Sequence, residues 1–339
     1  MGENIKSPIL VFDYDYILYR AGFACENRFI EVVHMASGKK KQFKNKTEFY
    51  GLKKDVIEGW LGDVNKDRLE RGLKPFQRDE FVLNTIRRAE PVENTLHTVK
   101  KMIQDVNQHL SSKGYYGYIG KGDTFRKDIS TILEYKGQRT EDTRPLLKDE
   151  IAQYLHNVHK GKYATQFEAD DHVVMDCYKK KDHVLVSVDK DAMGTGCLVY
   201  NPDHPEQGIV DTNCFGKIWL NEKGDVKGYG RKFFYYQWIY GDNVDNYFAH
   251  AASDAKWGSK SAYNALVDCE SDVECFECAL NVYKALYPEE KTIEGWRGDD
   301  IVIDHLYVAD EIWQLARMLR HPNDNVLATD VWRKYGMIE

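Results

Sequence analysis

The chain has 339 residues, 42% of them hydrophobic, and carries 47 Lys and Arg against 54 Asp and Glu, for a net charge of −7. That is enough to bury a sizeable core in two or three lobes. No apolar run approaches the roughly 18 residues of a membrane helix, and the first residues lack the apolar stretch of a secretory signal, so a soluble chain that stays in the cytoplasm, with no membrane partner, is expected.

In chain order, four short β-rich apolar runs read as buried strands: Pro8 to Phe12, Tyr115 to Ile119, Tyr163 to Phe167 and His183 to Val188. Residues 36–90, polar and weakly periodic, read as an insertion of helices and loops. Helix-length segments lie between the later strands, at Asn94 to Leu110, Arg144 to His156 and Glu168 to Lys179. This alternation predicts an α/β domain with a parallel sheet and crossover helices. Beyond the Gly- and Lys-rich stretch Asn221 to Arg231 the pattern turns helical, at Arg231 to Tyr240, Ser259 to Val267, Glu274 to Leu286 and Val308 to Leu319. A boundary near 225 therefore separates a domain of residues 1–225 from a helical region of residues 226–339. The seven cysteines are odd in number and scattered, and read as reduced thiols; Cys275 and Cys278 have CxxC spacing but no second ligand pair.

The charge is polarised along the chain. Residues 36–54 hold seven lysines and one acid, and residues 268–311 hold thirteen acids and three bases. The net charge alone argues against a nucleic-acid partner; the basic run weakens that objection only slightly, because charge runs usually form solvated faces.

Four acidic clusters sit at the end of an apolar run or the start of a helix: Asp13 and Asp15; Glu168, Asp170 and Asp171; Asp189 and Asp191; and Asp242 and Asp245. Alone, each reads equally as a cap or a turn. On strands, the i, i+2 spacing of Asp13 with Asp15 and of Asp189 with Asp191 would point both side chains to one face, and the i, i+3 spacing of Glu168 with Asp171 and of Asp242 with Asp245 does so on a helix. Two like charges about 4 Å apart repel by roughly 4 kcal/mol at an effective dielectric near 20, so a convergent set would exceed the stability of an ordinary domain unless cations were bound. Hard oxygen ligands without His or Cys point to Mg²⁺ or Mn²⁺, the equipment of phosphoryl transfer.

Phe167 to Asp171 (FEADD), Ser187 to Asp191 (SVDKD) and Gly241 to Asn246 (GDNVDN), preceded by Phe125-Arg126 and by Tyr135-Lys136 with Arg139, resemble in order and spacing the motifs of the 5′-nuclease superfamily, the group of flap endonucleases and bacteriophage 5′→3′ exonucleases. The free-standing length and the YKGxR segment look most like the phage exonucleases. The resemblance implies a PIN-like parallel-sheet nuclease domain and a C-terminal helical DNA-binding region of helix-three-turn-helix type. It implies two Mg²⁺ ions, replaceable by Mn²⁺: one held by Asp13, Glu168, Asp170 and Asp171, the other by Asp189, Asp191, Asp242 and Asp245. It further implies that Arg126 and Lys136 contact the scissile phosphate, with Arg139 and Tyr135 beside them, Tyr135 being either a stacking residue or core. Residues 121–160 would form a basic arch over the site. Gly258 and Lys260, in a GxKxA-like segment, would contact phosphate at a helix start.

Two departures stand out. The Asp usual after the second strand is replaced by Gly120, with Asp123 either filling in or a plain turn residue. The Gly-Pro turn after Asn246 is missing, which puts the duplex grip and a monovalent-ion site in question. The implied activity is hydrolysis of DNA near 5′ ends, in phage replication or DNA degradation. A ribonuclease acting on RNA or an RNA–DNA hybrid is the alternative, followed by a non-catalytic DNA-binding protein and a phosphatase.

Overall fold

The computed structural model describes residues 7–53, 55–122, 124–139 and 144–339. It contains two compact units: the described residues of Met1–Leu18, Lys100–Thr143 and Ala152–Glu339 form one, and those of Tyr19–Val99 and Arg144–Ile151 the other. The larger unit continues across residue 225, the expected boundary, while most of the expected 36–90 insertion belongs to the smaller unit.

The chain begins with β1 (Ile9–Asp13) and α1 (Tyr14–Ala24). The smaller unit then builds an antiparallel sheet from β2 (Glu26–His34), β3 (Lys40–Phe43) and β4 (Phe81–Ala89), in the order β3-β2-β4. Its other elements are α2 (Lys46–Tyr50) and α3 (Gly59–Glu70). This corrects the reading of helices and loops. The strands escaped notice because they are half-exposed, with only Ile30, Val32, Phe43, Phe49 and Leu61 forming a buried cluster, so charged and other polar residues are interspersed among their apolar ones.

The larger unit resumes in α4 (Val92–His109) and continues through β5 (Gly114–Ile119), α5 (Phe125–Ile129), α6 (Lys148–Val158), β6 (Gly161–Tyr163), α7 (Ala169–Cys177), β7 (His183–Val186), β8 (Leu198–Tyr200) and β9 (Ile209–Asp211). The sheet runs in the order β6-β5-β1-β7-β8-β9; all neighbours are parallel except the antiparallel pair β8 and β9. The α/β class with a central parallel sheet is thus as the sequence implied. The third expected strand is displaced: β6 ends at Tyr163, where Tyr163 to Phe167 was to begin, because Gln166 adopts φ 71°, which breaks extended backbone. The last two strands had no reading from sequence. β1 is central and apolar up to its last residue, with Leu10, Val11 and Phe12 inaccessible to solvent, as a strand covered on both faces must be.

Beyond the sheet come β10 (Lys217–Leu220), β11 (Val226–Tyr229), α8 (Arg231–Tyr240), β12 (Gly241–Asp242), β13 (Tyr247–Phe248), α9 (Ser259–Leu266), α10 (Asp272–Leu286), β14 (Lys291–Glu294), β15 (Asp300–Ile303), α11 (His305–Ala316) and α12 (Ala328–Lys334). The aromatic run of α8 has no polar face because the helix is enclosed, with Phe233, Tyr235, Tyr236, Trp238 and Ile239 all buried. Trp238 donates to the carbonyl of Ala309, and Trp332 to that of Phe276, each at 2.9–3.0 Å, so the indoles of this core are satisfied. Among the described residues, no helix is long and apolar enough to cross a membrane, and the seven cysteines form no disulfide.

Within the segment expected to arch over the site, the stretch from Arg126 to Tyr135 packs against the core, while Gly137, Gln138 and Arg139 are exposed. Arg126, Ile132 and Tyr135 are buried, and buried Glu311 of α11 accepts the backbone N–H groups of Thr131 and Ile132 at 3.0 and 3.2 Å. Residues 140–143, the middle of the expected arch, lie outside the described residues, as does Asp123.

Candidate metal centre

Parallel strands deliver their carboxyl ends to one edge, the usual place for a ligand site in such sheets. Asp13 is the last residue of β1. Its Oδ1 accepts the backbone N–H of Asp15 at 3.0 Å, and its Oδ2 accepts the Ser187 hydroxyl at 3.1 Å. Ser187, just past β7, accepts in turn the backbone N–H of Asp189 at 3.1 Å, which ties the ends of the two central strands together.

Asp189 and Asp191 do not continue the strand, as their spacing had suggested. Asp189 caps the single 3₁₀ turn Lys190–Gly194, and its Oδ1 accepts the N–H of Asp191 at 2.9 Å. Asp15 sits in the first turn of α1, with Oδ1 2.9 Å from the N–H of Gly120. A Cβ at Gly120 would come within 2.5 Å of the Asp15 carboxylate, so this close approach requires glycine.

Glu168 is the N-cap of α7, and its carboxylate lies within 4.8 Å of those of Asp170 and Asp171. Asp245 joins this group through two side chains. The Tyr135 hydroxyl lies 2.9 Å from both Glu168 and Asp245, and the Lys136 ammonium bonds Glu168 and stands 3.7 Å from Asp245. Arg139 reaches Asp245 at 2.9 Å. Asp242 and Asp245 belong to a tight hairpin made by β12 and β13. Gly241 there has φ 107°, and a Cβ would lie 2.2 Å from the Tyr247 carbonyl oxygen. Asp242 pairs with Lys190 at 2.5 Å, and Gln237 of α8 donates to Asp191.

Two residues expected to face metal or phosphate are instead consumed. Asp171 is wholly buried, and its four acceptor positions are filled: Oδ1 by Arg126 Nη2 and the N–H of Leu319, Oδ2 by Arg126 Nη1 and the N–H of Glu168, at 2.6–3.1 Å. Arg126, 2% exposed, likewise uses all five of its N–H groups, on Asp171, Glu168 and the carbonyls of Leu315 and Arg317. Neither a metal bond from Asp171 nor a phosphate contact from Arg126 is compatible with that arrangement. Tyr135 is 2% exposed and stacks on Tyr247.

Gly258 and Lys260 open α9, which is tied to α8 by the Tyr236–Ser259 hydroxyl pair at 2.8 Å. Lys260 is exposed and makes no ion pair among the described residues. The backbone groups of residues 315–319 could not be found by residue type, since any side chain supplies the same N–H and C=O; Lys190, lying between two candidate acids, could have been.

The electrostatics divide the acids into two sets. Glu168 is buried, which would raise it, but Arg126 and Lys136 prevail and hold it at about 2. Asp242 is held below its usual range, because Lys190 outweighs burial. Burial opposes the charge of Lys136, but Glu168, Asp245 and Asp170 outweigh it and raise the group.

Asp13, Asp170, Asp189 and Asp191 behave oppositely. Burial and then the Asp15 and Asp189 carboxylates push Asp13 up to about 7. Burial and Glu168 raise Asp170 well above its ordinary value. Desolvation in the crowded site also raises Asp189, though its side chain reaches solvent, and Asp191, the latter further through Asp189. A cation would relieve acids that burial and like charge push toward the neutral form, and an all-oxygen set with no His or Cys fits a hard divalent ion.

A pH dependence follows for the metal-free protein. These four groups have folded values above the ordinary 3.8 of Asp, so their contribution to stability is complete below about pH 3.8 and is lost as pH rises through the folded values, about 7 for Asp13. Glu168, held at about 2, loses its contribution only on strong acidification, outside this window. In the presence of EDTA, thermal unfolding is therefore expected at a lower temperature at pH 8 than at pH 5.5. Mn²⁺ is expected to raise the midpoint more at pH 8, where fewer protons must be displaced.

No family model matches the chain, and no curated protein matches it. Solved structures of bacteriophage T5 proteins do. The T5 D15 protein co-crystallised with metal ions is 16% identical over 70% of this chain and 84% of that one, at a TM-score of 0.36. A variant bacteriophage T5 D15 flap endonuclease, in a pseudo-enzyme-product complex with DNA and metal ions, is 19% identical over 54% and 70%, at 0.33. A lysine-to-alanine mutant of T5 5′-exonuclease is 14% identical over 70% and 82%, at 0.33.

Proposed function

We propose that this chain is a divalent-metal-dependent nuclease that hydrolyses DNA phosphodiester bonds near 5′ ends, as a 5′→3′ exonuclease or flap endonuclease, using Mg²⁺. The observation that carries the reading is the joining of the ends of β1 and β7 with the start of α7 and the β12–β13 hairpin into one acidic site, four of whose acids are forced toward neutrality without a cation.

Asp13, Asp170, Asp189 and Asp191 are the side chains that would hold the ions, with Glu168, Asp242 and Asp245 beside them already shared with Lys136, Arg139 and Lys190. A bound divalent cation supplies Lewis-acid chemistry and lowers the pKa of water. The carboxylates act as ligands and not as nucleophiles. Lys136, one-fifth exposed and kept charged by Glu168, is positioned to offset charge on a phosphate. Arg139, more exposed, is the next phosphate contact, with Gly258 and Lys260 at the start of α9 as outlying ones. Substrate specificity rests on DNA as partner, with the RNA–DNA hybrid as a related substrate.

A 5′-labelled duplex with a single-stranded flap tests the reading. Protein stripped with EDTA is expected to be inert and to release short labelled products once Mg²⁺ or Mn²⁺ is restored. Cleavage in EDTA would overturn the proposal, and cutting of RNA with DNA left intact would move the assignment to a ribonuclease.

A further inference from the structure

Cys275 and Cys278, the two cysteines at CxxC spacing, lie three residues apart on α10 and so share a face of that helix. The fold brings a third cysteine to them. Cys269, in the link between α9 and α10, has its sulfur in hydrogen-bond contact with the sulfurs of both. Backbone contacts fix this link: Lys232 of α8 donates to the carbonyls of Val267 and Cys269 at 2.8 and 2.6 Å, and the Cys269 N–H donates to the Leu266 carbonyl at 3.1 Å.

The Cys278 and Cys269 thiols also converge on one acceptor, the Ala265 carbonyl, at 3.0 and 3.8 Å. Carbonyls in the last turn of a helix lack intrahelical partners, so in the reduced protein these thiols cap α9. The three sulfurs are not arranged as a metal centre. Among the described residues, the one set of three candidate ligand atoms lying within 4.8 Å of one another belongs to Glu168, Asp170 and Asp171.

Access separates the cysteines. Cys269 and Cys278 are partly exposed and line an open groove with Trp257, Glu274, Glu277 and Asn281, whereas Cys275 is inaccessible to solvent. Cys177 and Cys197 also neighbour each other, but at 0% and 2% exposure they are closed to an oxidant in solution.

From the sulfur contact, the shared carbonyl and the open groove, we infer that Cys269 and Cys278 form a reversible oxidation site, closing to an intramolecular disulfide with a small hydroperoxide as oxidant. The Cys269 thiolate attacks one peroxide oxygen and the O–O bond breaks, leaving a sulfenic acid and, with the thiol proton, one water. The Cys278 sulfur then attacks the sulfenic sulfur, the S–O bond breaks, and the hydroxyl leaves with the Cys278 proton as a second water. Two thiols and one hydrogen peroxide thus give one disulfide and two waters, with two electrons passing from the sulfurs to the peroxide oxygens. Burial and the adjoining Cys269 push the Cys278 thiol up to about 11, so it stays protonated at neutral pH and the first attack falls to Cys269. Glu274 and Glu277 on the groove favour an uncharged oxidant over an anionic one. Closing the bond takes both thiol donors from the Ala265 carbonyl, so oxidation registers at the last turn of α9, the helix whose first turn carries Lys260.

The test treats the full chain, in EDTA at pH 8, with excess hydrogen peroxide, then unfolds it, alkylates the remaining thiols and maps a non-reducing digest by mass spectrometry. The wild type is expected to lose two of its seven alkylatable thiols, to yield one peptide pair joined through Cys269 and Cys278, and to recover both thiols with dithiothreitol. Cys177 and Cys197 are expected to remain alkylatable. Cys269→Ser and Cys278→Ser are each expected to lose the joined pair; a serine hydroxyl can still donate to Ala265, and the wild-type map stands even if a variant folds poorly. Nuclease activity is not read, so failure here is distinct from failure of the nuclease proposal. A bond from Cys269 to Cys275, a bond between two chains, or Cys269 carried on to the sulfinic acid with no joined peptide overturns the inference.

Discussion

Replacing Asp189 by Asn is expected to reduce cleavage of a labelled duplex by at least about 10²–10³-fold, a loss typical of removing a group aimed at the reacting charge, while leaving the fold intact. The fold survives because the backbone role of this residue is retained. Asn is as good a cap as Asp, and its side-chain oxygen can still accept the Asp191 N–H that the carboxylate now holds at 2.9 Å. What disappears is one negative charge, on a side chain that reaches solvent, close to those of Asp242 and Asp245. At pH 8 in EDTA the variant should therefore unfold at a higher temperature than the wild type, the reverse of an ordinary loss-of-function substitution. Calorimetry and a gel assay on one preparation check both halves. Wild-type turnover in the variant would remove Asp189 from the metal centre, and a lowered midpoint would mean that the acids are not in conflict.

Arg126→Lys should be among the most destabilising single substitutions in the chain, costing about 3–5 kcal/mol as the removal of one partner from a buried pair does. A lysine offers three donors from one point where Arg126 uses five in a planar fork, so Asp171 and the carbonyls of Leu315 and Arg317 cannot all be satisfied. Guanidinium unfolding monitored by tryptophan fluorescence gives the cost directly. The alternative, in which Arg126 touches DNA, predicts unchanged stability and a shallower salt dependence of binding by about one phosphate. Both quantities can be measured in the Asp189→Asn background, where substrate persists.

The contrast between these two residues marks where sequence was informative. Asp13, Glu168, Asp170 and Asp189 could be singled out as candidates because an apolar strand or a helix start followed by acid is a pattern of residue types, and the parallel sheet brings strand ends to one edge whatever the loops do. Arg126 and Asp171 were equally visible as letters, yet whether a charged group faces a ligand or is enclosed by its own chain depends on partners 189 and 148 residues away, and those partners are backbone atoms. The strand misplaced at Tyr163 failed for a local reason, the left-handed backbone of Gln166, which no side chain announces. The antiparallel sheet of the smaller unit failed for a compositional one, since strands that bury little need not alternate.

The backbone clasp at Leu315, Arg317 and Leu319 has a consequence for the timing of activity. During translation the acidic residues up to Asp245 emerge well before the clasp that fixes Arg126 and Asp171. Until residue 319 has left the ribosome, the start of α7 has no anchored arginine to hold it. A nascent chain would thus remain unable to fix the start of α7, and under the proposed function a product truncated before that point would lack the activity.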